Sequence, residues 1–219
     1  AIYDGEVAAY FPFRHETGSN LPLERLEDFR RLIRGKTIVN HNIKFDMEAM
    51  WVDGFPLPHR VEDSMLAAHL MNENEYKLDA QGRPIRKSGG HMATDYTLSN
   101  LAKKYLGQAD SKDEMERIMK ERGLTKGSLW RLPPELVAPY AVGDVKLAKA
   151  LRDFYVPHLK LWRLYDLWQE VNRYCIITTK MEIRGLQLDR DRIRQYMEEA
   201  EQMIEPTLKE IQALAGYEI

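Results

Sequence analysis

Hydrophobic residues recur along the first part of the chain with two periods, and each period predicts a different element. An apolar run over residues 7–11, preceded by the turn residues Asp4-Gly5, predicts a β-hairpin. Helical spacing over residues 22–34 predicts an amphipathic helix. A short apolar run over residues 37–39 then predicts a buried strand that leads into a second helix.

The pattern after this second helix is more interrupted. Helical spacing over residues 62–71 and again over residues 98–106 predicts two further helices. Between them, residues 72–93 hold several Gly and Pro residues among charged ones, which predicts a mobile loop. Another helix is predicted to start near Pro139 and to continue to about residue 155. The alternation of strands and helices up to this point indicates an α/β domain.

The pattern changes after residue 157 to two long amphipathic helices. The first is predicted to end at Gly185, and Asp189 is the expected N-cap of the second. Strand signals are absent from this part of the sequence, so it is all-α in character. We therefore place a domain boundary near residue 160, which separates an α/β domain over residues 1–160 from a helical region over residues 161–219.

Composition and charge limit the kinds of ligand and the cellular compartment that fit the chain. The 219 residues carry a formal net charge of −2, which is not the strongly basic balance of a protein that grips duplex DNA through many phosphates. A site for a few nucleotides remains compatible with this charge. No apolar run approaches the roughly 20 residues that span a bilayer, so we expect no membrane contact. A lone cysteine, Cys175, favours a reducing, intracellular setting.

Two short segments contain residues that suit nuclease chemistry. In the first, Asn42 and Asp46 lie four residues apart at the start of the second predicted helix, so they share one face. An amide that can hydrogen-bond a nucleotide and a carboxylate that can hold a metal through water would thus point the same way. The alternative is a helix-capping Asn followed by a solvated Asp.

The second segment lies about a hundred residues further along the chain. Tyr140 and Asp144 are again four residues apart on one predicted helical face. A phenol can hold a water in line for attack while a carboxylate binds the metal that activates this water. The alternative is a half-buried tyrosine beside a surface aspartate.

Together, the two segments resemble the second and third motifs of the proofreading exonucleases of the DEDD superfamily, in the branch that uses a tyrosine. Glu62-Asp63-Ser64-Met65 resembles the segment between these motifs. The stretch Tyr10-Phe11-Pro12-Phe13-Arg14-His15 resembles the Tyr-x-Pro-x-x-His stretch of polymerase I-like enzymes. The run from Lys180 through Asp189 resembles the segment that leads into the family A polymerase domain. The resemblance therefore covers nearly the whole chain.

The resemblance implies an RNase H-like exonuclease fold followed by long helices of a polymerase domain. It also implies hydrolysis of the 3′-terminal phosphodiester of DNA at a site with two Mg²⁺ or Mn²⁺ ions, which releases nucleoside monophosphates. In this family Asp144 would bind the metal that activates water, Asp46 would hold the second metal, and Tyr140 would position the water. Asn42, Phe45 and, with less support, His41 would contact the terminal nucleotides of the single-stranded 3′ end.

The first motif of the family, an Asp-x-Glu on an apolar strand, is not recognised here. Asp4 and Glu6 lie in the predicted turn of the hairpin, so they are expected at the surface. We therefore expect the chain to be a fragment, truncated before the first motif, with an incomplete metal site and little nuclease activity when isolated. Expected partners are the DNA 3′ end and the rest of the polymerase chain, in the cytoplasm of a bacterial or phage-infected cell.

Two other functions fit parts of the sequence. A stand-alone exonuclease of the RNase D type would act on RNA, but the polymerase-like segment argues against it. A non-catalytic module derived from a nuclease is the other alternative, and the presence of Asn42, Asp46, Tyr140 and Asp144 argues against loss of the site.

Overall fold

The computed structural model describes residues 1–79, 81–108 and 112–216. The chain forms two compact units, Ala1–Lys180 and Met181–Ile219. The first unit mixes short strands with helices, and the described part of the second is helical. This order agrees with the predicted α/β class followed by long helices.

Two small sheets belong to the first unit. β1 (Ile2–Tyr3) and β2 (Ala8–Ala9) are antiparallel, and the predicted hairpin turn is closed by the Asp4 carboxylate, which accepts the N–H groups of Glu6 and Val7 at 2.9 and 2.8 Å. This use of Asp4 agrees with its expected surface position. β3 (Thr37–Asn40) pairs in parallel with β4 (Arg60–Asp63), with Asn40 opposite Asp63.

The strand β4 shows that the predicted helix over residues 62–71 starts too early. The helix begins at Ser64, and the two residues before it belong to the strand. Sequence reasoning missed the strand because the acidic residues Glu62 and Asp63 do not look like strand residues, although both are buried, at 5% and 1% exposure. Long-range hydrogen bonds and an ion pair, described below, make this burial possible.

The remaining helices of this unit surround the strands. They are α1 (Leu26–Ile33), α2 (Ile43–Val52), α3 (Ser64–Met71), α4 (Leu98–Leu101) with a π-helical turn over Ala102–Leu106, α5 (Lys112–Glu121), α6 (Pro134–Leu161) and α7 (Tyr165–Arg184), whose last turn enters the second unit.

The helix α6 also corrects a predicted boundary. It begins at Pro134 rather than near Pro139, and it continues to Leu161. Pro134 suits the first turn, where a backbone N–H has no helical partner. Pro139 and Pro157 lie inside the helix, where each removes one main-chain hydrogen bond without ending it. As a result, Tyr140 and Asp144 stand in the body of a long helix.

Three clusters of buried side chains stabilise the first unit. The largest joins α3, α4, α6 and α7 and includes the fully buried Trp168, Tyr155 and Leu151. A second cluster places Ile43 and Met47 of α2 against Val61 of β4. The third cluster lies around α5 and the start of α6 and consists of Met115, Met119, Leu132 and Val137, with Tyr10 and Tyr140 packed against it.

Residues 75–95, which we call the arm, contain three isolated β-bridges where a mobile loop was predicted. Lys77 N–H donates to the Ala93 carbonyl at 2.7 Å, Ile85 N–H to Lys77 at 2.8 Å, and Ala93 N–H to Ile85 at 2.7 Å. Three segments of the backbone therefore meet at Lys77, Ile85 and Ala93, each of which is hydrogen-bonded to the other two. The Gly and Pro residues that suggested a loop occupy the turns and edges of this arrangement, and Ala80 lies outside the described residues.

The second unit is dominated by α8 (Arg190–Ala215), and Asp189 caps it as predicted by accepting the Arg192 N–H at 2.9 Å. None of its described residues is buried, and apolar side chains such as Ile204 and Ile211 remain exposed. No helix in the described residues is long and apolar enough to cross a bilayer.

Candidate active site

The start of α2 is fixed by a carboxylate that belongs to the neighbouring strand. Asp63, at the end of β4, accepts the N–H groups of Asn42 and Ile43, both at 3.0 Å. Asn42 is in the left-handed conformation, with φ of 57°, which asparagine adopts more readily than most residues. The side chain of Asn42 makes no capping hydrogen bond. Asn42 therefore stands at the N-cap position, as in the alternative interpretation, but the side chain that accepts the first N–H groups is that of Asp63.

Asp63 connects three elements at once. Its side chain also accepts the Met65 N–H at 2.7 Å, so it caps α3 as well as α2. Its own N–H donates to the side-chain oxygen of Asn172 at 2.9 Å, and its carbonyl accepts the indole N–H of Trp168 at 3.1 Å. Because the residue is 1% exposed and fully hydrogen-bonded, it acts as a rigid junction between β4 and the helices α2, α3 and α7.

The first turn of α2 divides its side chains between core and solvent. Ile43 and Met47 are each 1% exposed and anchor the helix in the core. Phe45 points the other way and is 71% exposed, so it does not fill the core. Asn42 is also exposed, and Asp46 is half-buried. An exposed amide and an exposed aromatic ring thus stand beside a partly enclosed carboxylate.

The electrostatics of Asp46 connect the two predicted motifs. Burial is the main cause that raises the pKa of the Asp46 carboxyl to about 6; the negative charges of Asp63 and Asp144 contribute to this rise, and the positive N-terminus opposes it. The influence of Asp144 means that the fold brings the two predicted carboxylates close enough to interact, although about a hundred residues separate them in the sequence. A carboxylate held in such surroundings gains stability when a cation binds beside it.

Residues in and next to the Tyr10–His15 stretch form hydrogen bonds with the segment that precedes α6. His15 Nδ1 donates to the Leu132 carbonyl at 2.6 Å, which leaves Nε2 to accept the Tyr10 hydroxyl at 2.6 Å. Glu16 N–H donates to the Trp130 carbonyl at 2.8 Å. The sequence stretch identified by resemblance therefore positions the segment just before α6.

A second contact holds α6 beyond Asp144. Arg152 on this helix donates to the buried carboxylate of Glu62 at 2.6 Å. Glu62 and Asp63 are consecutive on β4, and consecutive strand residues face opposite sides. One of them therefore holds α6 while the other holds α2. Sequence reasoning noted both residues only by resemblance, and the one local signal was an aspartate directly before a helical pattern.

His41 is engaged within the protein. Its Nε2 donates to the Tyr96 carbonyl at 2.7 Å, and its Nδ1 lies 2.9 Å from the Ser64 hydroxyl. Burial lowers the pKa of His41, which favours the neutral ring. These bonds tie the end of the arm to the start of α2. A contact between His41 and a nucleotide stays a prediction.

The residues present supply carboxylates of the type that binds Mg²⁺ or Mn²⁺. In the described part of the chain, no group of three or more His, Cys, Asp or Glu residues has the geometry of a metal site. The carboxylates of Asp46 and Asp144 lie close enough for the charge of one to act on the other. A pair fits the usual binding of Mg²⁺, which takes one or two protein carboxylates together with phosphate oxygens and water.

A sequence model of a family described as 3′-5′ exonuclease matches residues 1–160. The chain belongs to this exonuclease family of polymerase I-like enzymes. All the predicted site residues fall inside the matched range. The RNase H-like fold class and the nuclease activity of the family agree with the predictions made from the sequence, and the family uses divalent metal ions.

Three phage proteins are among the relatives of this exonuclease chain. It is 30% identical to the DNA polymerase DpoZ of Acinetobacter phage SH-Ab 15497, over 86% of the chain and 28% of that protein. It is 29% identical to the DpoZ of Vibrio phage phiVC8 and 26% identical to the DNA-directed DNA polymerase of Pseudomonas phage M6, in both cases over all of the chain. The chain spans 34% and 31% of the length of these two proteins.

Proposed function

We propose that the chain is the 3′-5′ proofreading exonuclease of a DNA-directed DNA polymerase, and that it removes nucleoside monophosphates from a single-stranded DNA 3′ end. The observation that carries this proposal is the match of residues 1–160 to the 3′-5′ exonuclease family. Within this range the charge of Asp144 acts on the carboxyl of Asp46, which supports a shared cation site built from two distant motifs. The names of the phage relatives support DNA as the substrate and a polymerase as the host chain.

The cofactor would be Mg²⁺ or Mn²⁺, with Asp46 and Asp144 as ligands. Bound metal would stabilise the charge that develops on the scissile phosphate and supply an activated water. Tyr140, four residues before Asp144 on the same helix, would hold this water by its hydroxyl. The half-buried packing of Tyr140 against the Met115 cluster supports a fixed ring position.

The substrate end would be held from α2. The exposed ring of Phe45 offers a stacking surface for a base, and stacking tolerates any base sequence. The Asn42 amide, beside it on the first turn, would hydrogen-bond the nucleotide. Both side chains are available for this role because Asp63, rather than Asn42, caps the helix.

The helical region over residues 161–219 would begin the polymerase domain. The exposed apolar side chains of α8 support this assignment, since a partner surface is needed to cover them. We propose the rest of the polymerase as that partner, and the cytoplasm of a bacterial or phage-infected cell as the place of action.

The test uses a polymerase that contains this chain and a primer with a mismatched 3′ end. Asp144→Ala should slow excision by roughly a thousandfold, since a lost metal ligand removes several kcal/mol of transition-state stabilisation. Polymerisation from a matched primer should continue at the parental rate. Asp166→Ala, which changes an exposed aspartate of α7, is the matched control and should leave excision unchanged. Parental excision by Asp144→Ala would refute the assignment.

A further inference from the structure

We infer that the arm, residues 75–95, binds the phosphate backbone of the substrate strand a few nucleotides upstream of its 3′ end. This inference rests on the proposed function, because it takes single-stranded DNA as the ligand. It adds a second contact surface to the site formed by α2 and α6. Charge, anchoring and reach each support it.

The arm is basic in a chain that is slightly acidic. The arm holds four Lys or Arg residues and three acidic ones, Glu75, Asp79 and Asp95, which gives it a net charge of +1 against −2 for the whole chain. Arg83 is neutralised by an ion pair with Asp79 at 3.0 Å. Lys77, Arg86 and Lys87 are exposed and form no ion pair with any described residue.

Several other exposed cations of the chain are paired, whereas those that are also unpaired among the described residues, such as Arg34 and Arg122, lie far apart in the sequence. Arg25, Arg31 and Arg173 are paired with acids three or four residues away on their own helices. Such pairs are typical of a solvated helix surface. A set of unpaired cations on adjacent backbone segments is instead typical of a surface that binds phosphates.

The arm is anchored rigidly at its base. The Glu75 carboxylate, in a residue that is 1% exposed, accepts the Lys104 ammonium at 2.7 and 2.9 Å and the Tyr105 hydroxyl at 2.7 Å, and Asn72 donates to it as well. The other end is held by Tyr96, whose ring stacks on His69 with 3.5 Å between the ring centres. A fixed base means that the cations are presented without a large ordering cost.

The same base lies next to the proposed nucleotide site. The Tyr96 carbonyl accepts the His41 ring N–H at 2.7 Å, and His41 directly precedes Asn42. Lys77 pairs with Ala93, which is three residues from Tyr96, and Arg86 and Lys87 follow Ile85, which pairs with both Lys77 and Ala93. Three extended residues span about 10 Å. Phosphates within a few nucleotides of a 3′ end held at Asn42 and Phe45 are therefore within reach of Lys77, Arg86 and Lys87.

The test measures binding of fluorescent oligothymidylate of about 12 nucleotides by the 219-residue chain, by anisotropy in EDTA. Asp144→Ala is present throughout, so that no cleavage occurs. In this background, Lys77→Gln, Arg86→Gln and Lys87→Gln are combined. Because each lost phosphate contact on a single strand reduces the salt slope by about 0.7, the slope of log K against log salt should become shallower by about 2. Affinity at about 0.1 M salt should fall by about tenfold or more.

Two control variants make the result specific. Arg34→Gln, Lys36→Gln and Arg122→Gln remove three exposed cations that, within the described residues, also form no ion pair, and they should leave binding unchanged. Lys77→Arg, Arg86→Lys and Lys87→Arg keep the charges of the arm and should retain the parental slope. Thermal unfolding of all variants checks that the fold is intact.

Oligonucleotides of two lengths distinguish binding at the arm from binding at the 3′-end site. An oligonucleotide of about 3 nucleotides should bind the arm variant and the parent equally, since it is too short to reach the arm. The inference is overturned if the slope for the longer strand is unchanged, if the short strand loses as much affinity, or if the charge-preserving variant binds as weakly as the Gln variant. Loss of the proposed function would show separately, as parental excision by Asp144→Ala in the polymerase.

Discussion

The two segments that carry the candidate site are held in place by different means. The start of α2 depends on one buried carboxylate, that of Asp63, which binds main-chain N–H groups. The helix α6 is held by side chains at two separated points, through His15 before the helix and through Arg152 beyond Asp144. One support is concentrated in a single residue, and the other is distributed.

This difference has a functional consequence. Because the α2 support acts on the backbone, the side chains of Asn42 and Phe45 are left available for a ligand. The position of α6, and therefore that of Asp144, depends on two contacts rather than on one. Substitutions that remove the support of α2 should therefore have larger effects than those that remove one support of α6.

The largest effect is expected for Asp63→Ala. This change leaves the N–H groups of Asn42, Ile43 and Met65 without their acceptor, and each unsatisfied buried group costs about 1–3 kcal/mol. The free energy of unfolding, measured with urea, should fall by about 3–5 kcal/mol. Asp63→Asn keeps one acceptor oxygen and the shape, so it should lose less. Equal losses in the two variants would show that packing, rather than capping, is the role of Asp63.

The second-largest effect is expected for Tyr140 on α6, the helix that is held at two separated points. Tyr140→Phe keeps the ring in the Met115 cluster and removes only the hydroxyl proposed to orient water. Excision by the polymerase should slow by about 10–100-fold, less than with Asp144→Ala, while the free energy of unfolding changes by less than about 1 kcal/mol. Tyr140→Leu, which also loses the ring, serves as the comparison. If Tyr140→Phe and Asp144→Ala were equally damaging in folded proteins, the hydroxyl would have a larger role than orientation.

A smaller effect is expected for His15→Ala. It removes the hydrogen bond to the Leu132 carbonyl and the partner of the Tyr10 hydroxyl, but the Glu62–Arg152 pair still holds α6. The free energy of unfolding should fall by about 1–2 kcal/mol, and excision should slow by less than about tenfold. A loss as large as that of Asp63→Ala would contradict the distributed support of α6.

The smallest effect is expected on the pKa of Asp46, which is influenced by Asp144 on the other segment. In the metal-free chain, NMR titration should place the pKa of Asp46 near 6, and Asp144→Asn should lower this pKa by less than about one unit, since it removes a negative charge. The raised pKa also sets a sign for stability: the contribution of Asp46 is fully present below the unfolded pKa of about 3.9 and is lost as pH rises through about 6. If Asp144→Asn left the pKa of Asp46 unchanged, the start of α2 and the middle of α6 would not lie close together.

Much of the local structure near the site could be predicted, because local spacing encodes it. The hairpin at Asp4-Gly5, the strand before His41, the end of α7 at Gly185 and the Asp189 cap all follow from residue types within a few positions. The strand β4 and the paired segments of the arm could not be predicted in the same way. The two acids of β4 can be buried only because α6 and α7 supply their partners, and the segments of the arm pair with one another across 8 to 16 positions, beyond the range of local spacing.

By itself, the sequence determined the chemical types and spacings of the site: an amide and a carboxylate on α2, and a phenol and a carboxylate on α6. Only the tertiary structure decided that Asp63 caps α2 and that Glu62 holds α6 through Arg152. It also decided that Asp46 lies near enough to Asp144 for the charge of Asp144 to raise the pKa of Asp46. The physical reason is distance along the chain. Helical spacing is set by neighbours four residues apart, whereas these contacts join residues about 20 to 100 positions apart, which only the packing of strands and helices brings together.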